Sequence, residues 1–176
     1  MNIEIQPHKL IGTVKIPSSK SMAHRMLICA ALSEGVSEIS EIDSSKDIEA
    51  TIAVMQALGA VFEFREAERR MIVTGIREVP ETAVANCNES GSTLRFLIPV
   101  AAALGVETTF TGQGRLPERP ITPYIRELTQ KNIRFQNKKI PFTIQGTLQS
   151  GRFELEGDIS SQFITGLLLA LPLLRD

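Results

Sequence analysis

The residues best suited to chemistry near the start of the chain are a lysine, a serine and an arginine within a polar stretch, P-S-S-K-S-M-A-H-R at Pro17–Arg25. An apolar helical pattern follows directly, so Lys20, Ser21 and Arg25 fall in the first turns of a helix. Cations at the positive end of a helix dipole are each disfavoured by about 0.3–1 kcal/mol unless an anion is bound there. Backbone amides at a helix start also favour phosphate or carboxylate. The stretch therefore predicts an anion site; its alternative is a serine cap followed by solvated basic residues.

The elements that position these residues recur along the chain. Hydrophobic periodicity predicts the order β-α-β-α-β-β, and internal repetition of such an order indicates a repeat architecture. The first copy opens with strands Ile3–Ile5 and Gly12–Ile16, and the second with strand Ala83–Cys87. A third begins with strand Gly151–Glu156 and the apolar helix Phe163–Leu174. The sequence therefore predicts an α/β (α+β) fold built from repeated units.

Equivalent polar turns precede the apolar helix of each unit. Ser21, Gly91 and Ser161 are spaced by 70 residues. Hydrogen-bond donors cluster in the three turns: Lys20, Ser21 and Arg25, then Gly91, Ser92 and Arg95, then Ser160, Ser161 and Gln162. If the units pack around a pseudo-threefold axis, the three helix starts converge on one site. The alternative is a duplication whose turns have no function.

One loop breaks the repeat. It reads G-Q-G-R-L-P-E-R-P at Gly112–Pro120 and is longer and more basic than its counterpart Asp43–Lys46. Pro117 and Pro120 restrict the backbone around Arg119, which reduces the entropy lost when its guanidinium holds a carboxylate or phosphate. The loop therefore predicts a second anion ligand, with a solvated connection as the alternative.

The sequence also makes structural predictions for one proline and the two cysteines. Pro99 is expected to bend the second unit's first helix or to end its first part. Cys29 lies in an apolar helical run and is expected in the core, whereas Cys87 ends a strand. No C-x-x-C or Cys/His grouping occurs, so both cysteines are expected to be reduced and no metal site is expected.

Composition narrows the functional class. The chain has a net charge of −1, one tyrosine and no tryptophan. It therefore lacks the basic surface and the aromatic stacking residues that are typical of nucleic-acid-binding proteins. The longest apolar run, Phe163–Leu174, is too short to span a bilayer, and Met1–Gly12 lacks the apolar core of a signal peptide. A cytoplasmic protein without nucleic-acid or membrane partners is expected.

Four motifs together resemble the 5-enolpyruvylshikimate-3-phosphate synthase family: P-S-S-K-S-M-A-H-R, E-S-G-S-T-L-R, L-P-E-R-P and D-I-S-S-Q-F. The resemblance covers essentially the whole chain, in the family's order and spacing. It implies an enolpyruvyl-transferase-like fold, with two domains of three units each around pseudo-threefold axes. It also implies transfer of the enolpyruvyl group from phosphoenolpyruvate to the 5-hydroxyl of shikimate 3-phosphate, releasing phosphate. That reaction serves aromatic amino-acid (chorismate) biosynthesis and needs no metal or organic cofactor.

The resemblance also implies roles for individual residues. Four resemble the family's phosphoenolpyruvate ligands: Lys20, Gly91, Arg119 and Gln162. Six resemble its shikimate 3-phosphate ligands: Lys20, Ser21, Arg25, Ser160, Ser161 and Gln162. Lys20 also resembles the lysine that assists proton transfer. Two departures, Glu89 where many members have Asn and Phe96 where many have Pro, alter the expected shape of the phosphoenolpyruvate pocket.

Length is the larger departure from the family. Residues 1–16 are expected to belong to the other domain, and 17–176 to an incomplete domain with units at about 17–80, 81–148 and 149–176, the third truncated. The full-length enzyme is expected to be a monomer. The 176-residue chain is expected to be catalytically silent alone and to self-associate through the apolar run Phe163–Leu174.

Two other functions stay open from the sequence. One is a non-catalytic anion-binding part that needs a partner chain. The other is the related transferase acting on UDP-N-acetylglucosamine, whose family has Asn after the lysine and usually a reactive Cys in the loop matching Gly112–Pro120. Here Ser21 follows the lysine and the loop has no Cys. A P-loop kinase is a poor fit because the chain lacks G-x-x-x-x-G-K-[ST].

Overall fold

The computed structural model describes residues 3, 4, 6, 7, 9 and 11–174. Its α-helices in that part of the chain are α1 (Lys20–Leu32), α2 (Lys46–Ala57), α3 (Gly91–Leu104), α4 (Thr122–Thr129) and α5 (Ser161–Ala170). Its strands are β1 (Val36–Ser40), β2 (Val61–Arg65), β3 (Arg70–Thr74), β4 (Thr82–Asn86), β5 (Glu107–Thr111), β6 (Arg134–Phe135) and β7 (Phe142–Gln145). Short 3₁₀ turns lie at Glu66–Glu68, Leu116–Glu118 and Leu171–Leu173.

Serine side chains cap the start of four helices. Ser19, Ser45, Ser90 and Ser160 precede α1, α2, α3 and α5, and each side chain accepts a hydrogen bond from a backbone amide in the following turn. Such a cap satisfies one of the amides that a helix start leaves without a partner. The starts of α1, α3 and α5 therefore lie within one residue of where the 70-residue spacing predicts them.

Two sheets carry these helices. The first has three antiparallel strands in the order β1-β3-β2, and the second has four in the order β4-β5-β7-β6. In the second sheet β4 pairs parallel with β5, and α3 forms the crossover between them. The orders β1-β3-β2 and β5-β7-β6 match, so the first sheet lacks only a counterpart of β4.

The prediction of strands at Gly12–Ile16 and Gly151–Glu156 is wrong, because both segments are irregular. A strand needs a neighbour for its backbone amides and carbonyls. Residues 11–16 do not pair with β1, and Val14 and Ile16 are 84% and 83% exposed. No strand follows α5 among the described residues, so Gly151–Glu156 has no equivalent of β5 to pair with. Of the predicted strand Ile3–Ile5, residues 3 and 4 are irregular and residue 5 lies outside the described part of the chain.

Helix α3 runs through the centre of the molecule. All of its residues from Thr93 to Ala102 are buried, and the helix continues past Pro99 to Leu104. Of the two outcomes expected at Pro99, an end to the helix is therefore wrong, and a bend stays a prediction. Proline removes the amide that would bond to the carbonyl four residues earlier, at Arg95. The hydroxyl of Tyr124 on α4 lies 2.8 Å from that carbonyl and supplies a replacement donor.

Helix α5 is shorter and more exposed than the run Phe163–Leu174 predicts. It ends at Ala170, and its side chains Ile164 and Leu168 are 42% and 62% exposed. Self-association through this face stays a prediction. No helix in the described part of the chain has the length and apolar character needed to cross a membrane.

The prediction that Cys29 lies in the core is also wrong, because its side chain is exposed. On α1 it follows Met22 and Met26 at helical spacing, and both of these are also exposed. The buried face of α1 instead contains Leu27 and Ile28. An apolar run thus identified the helix but not the direction in which each residue faces.

Candidate functional site

Lys20, the first residue of α1, forms an ion pair with α2. Its Nζ lies 2.6 Å from Oδ2 of Asp47, and the two side chains are 58% and 31% exposed. Exposed ion pairs of this kind contribute about 0–1 kcal/mol. An anionic ligand at the start of α1 can therefore take Lys20 from Asp47 at small cost.

Arg25 joins α1 to both other helix starts. Its Nη1 donates to the carbonyl and the hydroxyl of Ser21, each at 2.7 Å, as their four-residue spacing predicts. Its Nη2 donates to Thr165 Oγ1 on α5 at 3.2 Å. The guanidinium also lies 5.0 Å from the ring centroid of Phe96 on α3. The second turns of α1, α3 and α5 therefore meet at this side chain, directly after the three helix starts.

Arg95 is a nearly buried cation between α3 and α5. It is 8% exposed, its Nη1 donates to Gln162 Oε1 at 2.8 Å, and its buried Nε has no partner among the described residues. Gln162 Nε2 in turn donates to Ser92 Oγ at 2.8 Å. Burial, followed by the nearby charge of Arg119, lowers the pKa of Arg95, although an arginine stays protonated at neutral pH. A cation this buried is stabilised when an anion pairs with it.

Arg119 lies directly against the start of α3. A methyl group added to Gly91 would overlap Nη1 of Arg119, so a larger residue there would displace the guanidinium from its present position. The loop that carries Arg119 is fixed on the preceding turn, because Gln113 N donates to the Asn88 carbonyl at 2.8 Å and Gln113 Nε2 donates to Asn88 Oδ1 at 2.6 Å. The structure therefore brings Gly91 and Arg119 together, in a loop that is bonded to the site.

The charges around the three helix starts favour an anion. None of α1, α3 and α5 has an acidic residue in its first turn, whereas α2 has Asp47 and Glu49 there. Within the described part of the chain, Arg25, Arg95 and Arg119 make no ion pair. Three guanidinium groups that make no ion pair among the described residues thus lie near three helix N-termini, and Asp47 beside Lys20 offsets only part of this positive charge. Such an arrangement can bind phosphate and carboxylate groups.

Ser160 and Ser161 lie at the start of α5. Ser160 is half-buried and caps the helix, with its Oγ accepting from Gln162 N at 3.3 Å. Ser161 is exposed. Their hydroxyl groups therefore stand beside the backbone amides of an uncompensated helix start, which is a suitable place for a phosphate. No group of three His, Cys, Asp or Glu side chains in the described residues is placed to hold a metal ion.

A series of buried polar side chains, referred to below as the buried chain, joins α1, α2 and α3. His24 Nδ1 lies 2.7 Å from Thr51 Oγ1, and Thr51 Oγ1 lies 2.7 Å from Thr93 Oγ1. Thr93 Oγ1 lies 2.7 Å from the capping hydroxyl of Ser90. The Nε2 atom of His24 is buried and has no partner within the described part of the chain. This chain ties α1, α2 and α3 together.

Protonation of His24 should destabilise the protein. Burial, with smaller contributions from Lys20 and Arg25, lowers the pKa of His24 to about 4, although Asp47 acts in the opposite direction. The unfolded chain takes up this proton near pH 6.5 and the folded chain only near pH 4, so stability is lost as the pH falls through that window. Between pH 7.5 and 5 we expect a loss of about 2 kcal/mol in the free energy of unfolding.

Urea unfolding at several pH values measures this effect, with His24→Asn as the matched variant. The amide can still bond to Thr51 but cannot titrate in this range. The wild-type protein should lose about 2 kcal/mol more than the variant between pH 7.5 and 5. Parallel pH profiles for the two proteins would show that His24 is not held neutral.

The sequence did not identify several residues that shape the site. Asp47 and Thr165 pair with Lys20 and Arg25 across 27 and 140 residues of sequence. Thr51 is the middle of the buried chain, and nothing in its helical surroundings indicates a polar role. Arg95 was recognised as a donor, but its burial was not predictable. The local signal that indicates a buried Arg95 is its position as a cation in an otherwise apolar helix start.

Comparisons with known proteins show which proteins this chain is similar to. The family model for EPSP synthase (3-phosphoshikimate 1-carboxyvinyltransferase) matches residues 5–176. The 3-phosphoshikimate 1-carboxyvinyltransferase of Clostridium kluyveri is 49% identical over 175 residues, which are 98% of this chain and 41% of that protein. The protein of the same name from Clostridium beijerinckii is 48% identical over 184 residues, covering 98% of this chain and 42% of that one. The chain thus spans about two-fifths of the length of these curated relatives.

A solved structure shows the same fold. The EPSP synthase of Acinetobacter baumannii superimposes with a TM-score of 0.76 at 22% identity, over 90% of this chain and 37% of that one. At this identity the likeness concerns the fold alone. It confirms the prediction of a mixed α/β fold of the enolpyruvyl-transferase type.

Proposed function

This chain belongs to the EPSP synthase family, and from that premise we propose that it contributes binding groups to the transfer of an enolpyruvyl group from phosphoenolpyruvate to the 5-hydroxyl of shikimate 3-phosphate. Phosphate is the other product, and the reaction would serve aromatic amino-acid biosynthesis. Both substrates are anionic, which suits a region where three guanidinium groups make no ion pair within the described part of the chain. Because the chain spans about two-fifths of its relatives, we assign it the binding of the substrates rather than the complete reaction.

One observation carries this proposal: the side chains of Arg95, Gln162 and Ser92 form a continuous hydrogen-bonded link between the starts of α3 and α5. Gly91, which contacts Arg119, directly precedes Ser92 on the α3 side of that link. Ser160 and Ser161 directly precede Gln162 on the α5 side. The two groups of residues that resemble phosphoenolpyruvate and shikimate 3-phosphate ligands are therefore adjacent. Adjacent binding of two reactants lowers the entropic part of a bimolecular barrier.

The resemblance to the family is the basis for assigning roles to individual side chains. We assign phosphoenolpyruvate to four residues: Lys20, Gly91, Arg119 and Gln162. We assign shikimate 3-phosphate to six: Lys20, Ser21, Arg25, Ser160, Ser161 and Gln162. By the same resemblance, Lys20 is assigned as the catalytic residue that assists a proton transfer. Its ion pair with Asp47 is exposed, so a ligand can replace Asp47 at small cost. Arg95 adds a buried positive charge behind both groups.

The domain division is also a proposal. We assign residues 1–16 to a second domain, and residues 17–80, 81–148 and 149–176 to successive units of one domain. The missing counterpart of β4 in the first sheet and the unpaired segment 151–156 support an incomplete arrangement of units.

Calorimetric titration of the 176-residue chain tests the assignment of substrates. Arg25→Ala should raise the dissociation constant for shikimate 3-phosphate at least about tenfold, which is about 1.4 kcal/mol. The same substitution should change the dissociation constant for phosphoenolpyruvate by less than about threefold. The reason is that Arg25 donates to Thr165 on α5 and not to the loop that carries Arg119. Arg65→Ala, on β2 and paired with Glu63, is the control that removes one arginine away from the site.

Three outcomes would contradict the proposal. Equal loss of affinity for both ligands would refute the division between them. Tighter binding of UDP-N-acetylglucosamine than of shikimate 3-phosphate would favour the related transferase. Binding of inorganic phosphate alone, with no preference for shikimate 3-phosphate, would indicate a general anion-binding part that needs a partner chain.

A further inference from the structure

Three helices meet at the hydroxyl of Tyr124. This residue lies on α4 and its side chain is fully buried. Its Oη lies 2.8 Å from the Arg95 carbonyl on α3 and 2.8 Å from the Phe163 carbonyl on α5. A tyrosine hydroxyl has one proton, so it donates to one carbonyl at a time while staying within reach of the other. Burial raises the pKa of Tyr124 well above its ordinary value, so the hydroxyl keeps this proton.

Helices α3 and α5 approach closely at the same point. A methyl group added to Gly166 on α5 would overlap both the Arg95 carbonyl and the Tyr124 hydroxyl, and would lie 3.1 Å from Cγ of Pro99. The ring of Tyr124 packs edge-on against Phe163 with centroids 4.9 Å apart. The guanidinium of Arg95 lies 4.8 Å from the centroid of the Phe163 ring. These contacts around Gly166 and Phe163 therefore fix the position of α5 relative to α3.

The two carbonyls belong to the turns that carry the binding groups. Arg95 provides one carbonyl, and its own guanidinium reaches Gln162. Phe163, which directly follows Gln162, provides the other. A shift of α5 along α3 would therefore move Gln162 away from both Arg95 and Ser92.

We propose that Tyr124 is a positioning residue whose hydroxyl fixes the first turn of α5, at Phe163, against the second turn of α3, at Arg95. It thereby sets the spacing between Ser160 and Ser161 on one side and Gly91 and Arg119 on the other. The inference rests on the proposed function for the identity of the ligands, but not for the contact between the helices. Tyr124 touches neither ligand group and acts through the backbone.

The substitution Tyr124→Phe removes only the hydroxyl. We expect the dissociation constant of shikimate 3-phosphate to rise at least about fivefold, because the serines of α5 lose their fixed position. Phe110→Leu is the control: it lies in the second sheet, stacked on Phe142, and destabilises the core away from the site. Loss of affinity in Phe110→Leu equal to that in Tyr124→Phe would show a general effect of stability and overturn the proposal.

The double variant Pro99→Ala with Tyr124→Phe separates positioning from simple hydrogen-bond satisfaction. Alanine at this position gives the Arg95 carbonyl the helical amide that proline denies it, so the double variant should fold even where Tyr124→Phe alone does not. We expect its affinity for shikimate 3-phosphate to stay low, since nothing then bridges to Phe163. Full recovery of affinity would mean that Tyr124 merely satisfies one carbonyl.

A double-mutant cycle tests the same contact without any substrate. Arg95→Ala and Gln162→Ala, singly and together, give the coupling between these side chains from urea unfolding. The cycle is run in two backgrounds, Pro99→Ala and Pro99→Ala with Tyr124→Phe. The coupling free energy in the second background should be smaller than in the first by at least about half. An unchanged coupling would overturn the proposal. If the wild-type chain does not bind shikimate 3-phosphate, the proposed function fails and this cycle alone decides the role of Tyr124.

Discussion

Replacing Arg119 by alanine is expected to lower kcat/KM for phosphoenolpyruvate by about a hundredfold or more, in a chain extended to the length of its relatives. The guanidinium lies against Gly91 at the start of α3, without an ion pair in the described part of the chain. A fixed charged donor aimed at a reacting anion contributes about 3 kcal/mol to a transition state, and about 2.7 kcal/mol corresponds to a hundredfold. Initial rates of phosphate release at varied phosphoenolpyruvate measure the loss.

The same loop provides a matched control. Arg115 lies four residues earlier, its side chain is 91% exposed, and it pairs with Glu118 at 3.7 Å. Arg115→Ala should therefore change kcat/KM by less than about twofold, since exposed ion pairs contribute little. Similar losses from both substitutions would mean that the loop acts through its overall charge. The rates of Lys20→Ala and Gln162→Ala should also fall, each at least about tenfold.

Replacing Gly166 by alanine is expected to lower the free energy of unfolding by about 3 kcal/mol or more. The added methyl group would overlap a backbone carbonyl, that of Arg95, and the buried hydroxyl of Tyr124. Neither atom can rotate away, because one belongs to a central helix and the other is held between two carbonyls. Relief then requires α5 to move away from α3, which breaks the contacts of Phe163 as well.

Urea unfolding of Gly166→Ala, with Gly157→Ala as control, measures this cost. A methyl group on Gly157 would meet no atom within 4 Å, so that variant should differ from the wild-type protein by less than about 0.5 kcal/mol. If the two variants were equally stable, the close approach of α3 and α5 at Gly166 would be refuted.

The elements that form from local signals were predictable from the sequence. Ser19, Ser90 and Ser160 cap the helices that the polar turns predict, and the hairpin around Glu66–Glu68 follows from alternating apolar residues. The segments Gly12–Ile16 and Gly151–Glu156 also have strand-like sequences but form no strand. A strand depends on a distant partner, and the pattern of a single segment does not show whether that partner is present.

The candidate site was predictable as a set of helix starts but not as a set of contacts. The spacing of Ser21, Gly91 and Ser161 identified the turns. The link from Arg95 to Gln162 joins residues 67 apart in the sequence, and its existence depends on how α3 packs on α5. The hydroxyl of Tyr124, which replaces the amide missing at Pro99, likewise becomes visible only in three dimensions.

Phosphate release from phosphoenolpyruvate and shikimate 3-phosphate, measured on this chain and on one extended to the length of its relatives, tests the central claim most directly. The extended protein should release phosphate only when both substrates are present, with one enolpyruvyl product formed per phosphate. Its Lys20→Ala and Arg119→Ala variants should be strongly impaired, and the 176-residue chain alone should be silent. Phosphate release that does not need shikimate 3-phosphate, or full activity in both variants, would contradict the assignment of these helix starts to the two substrates.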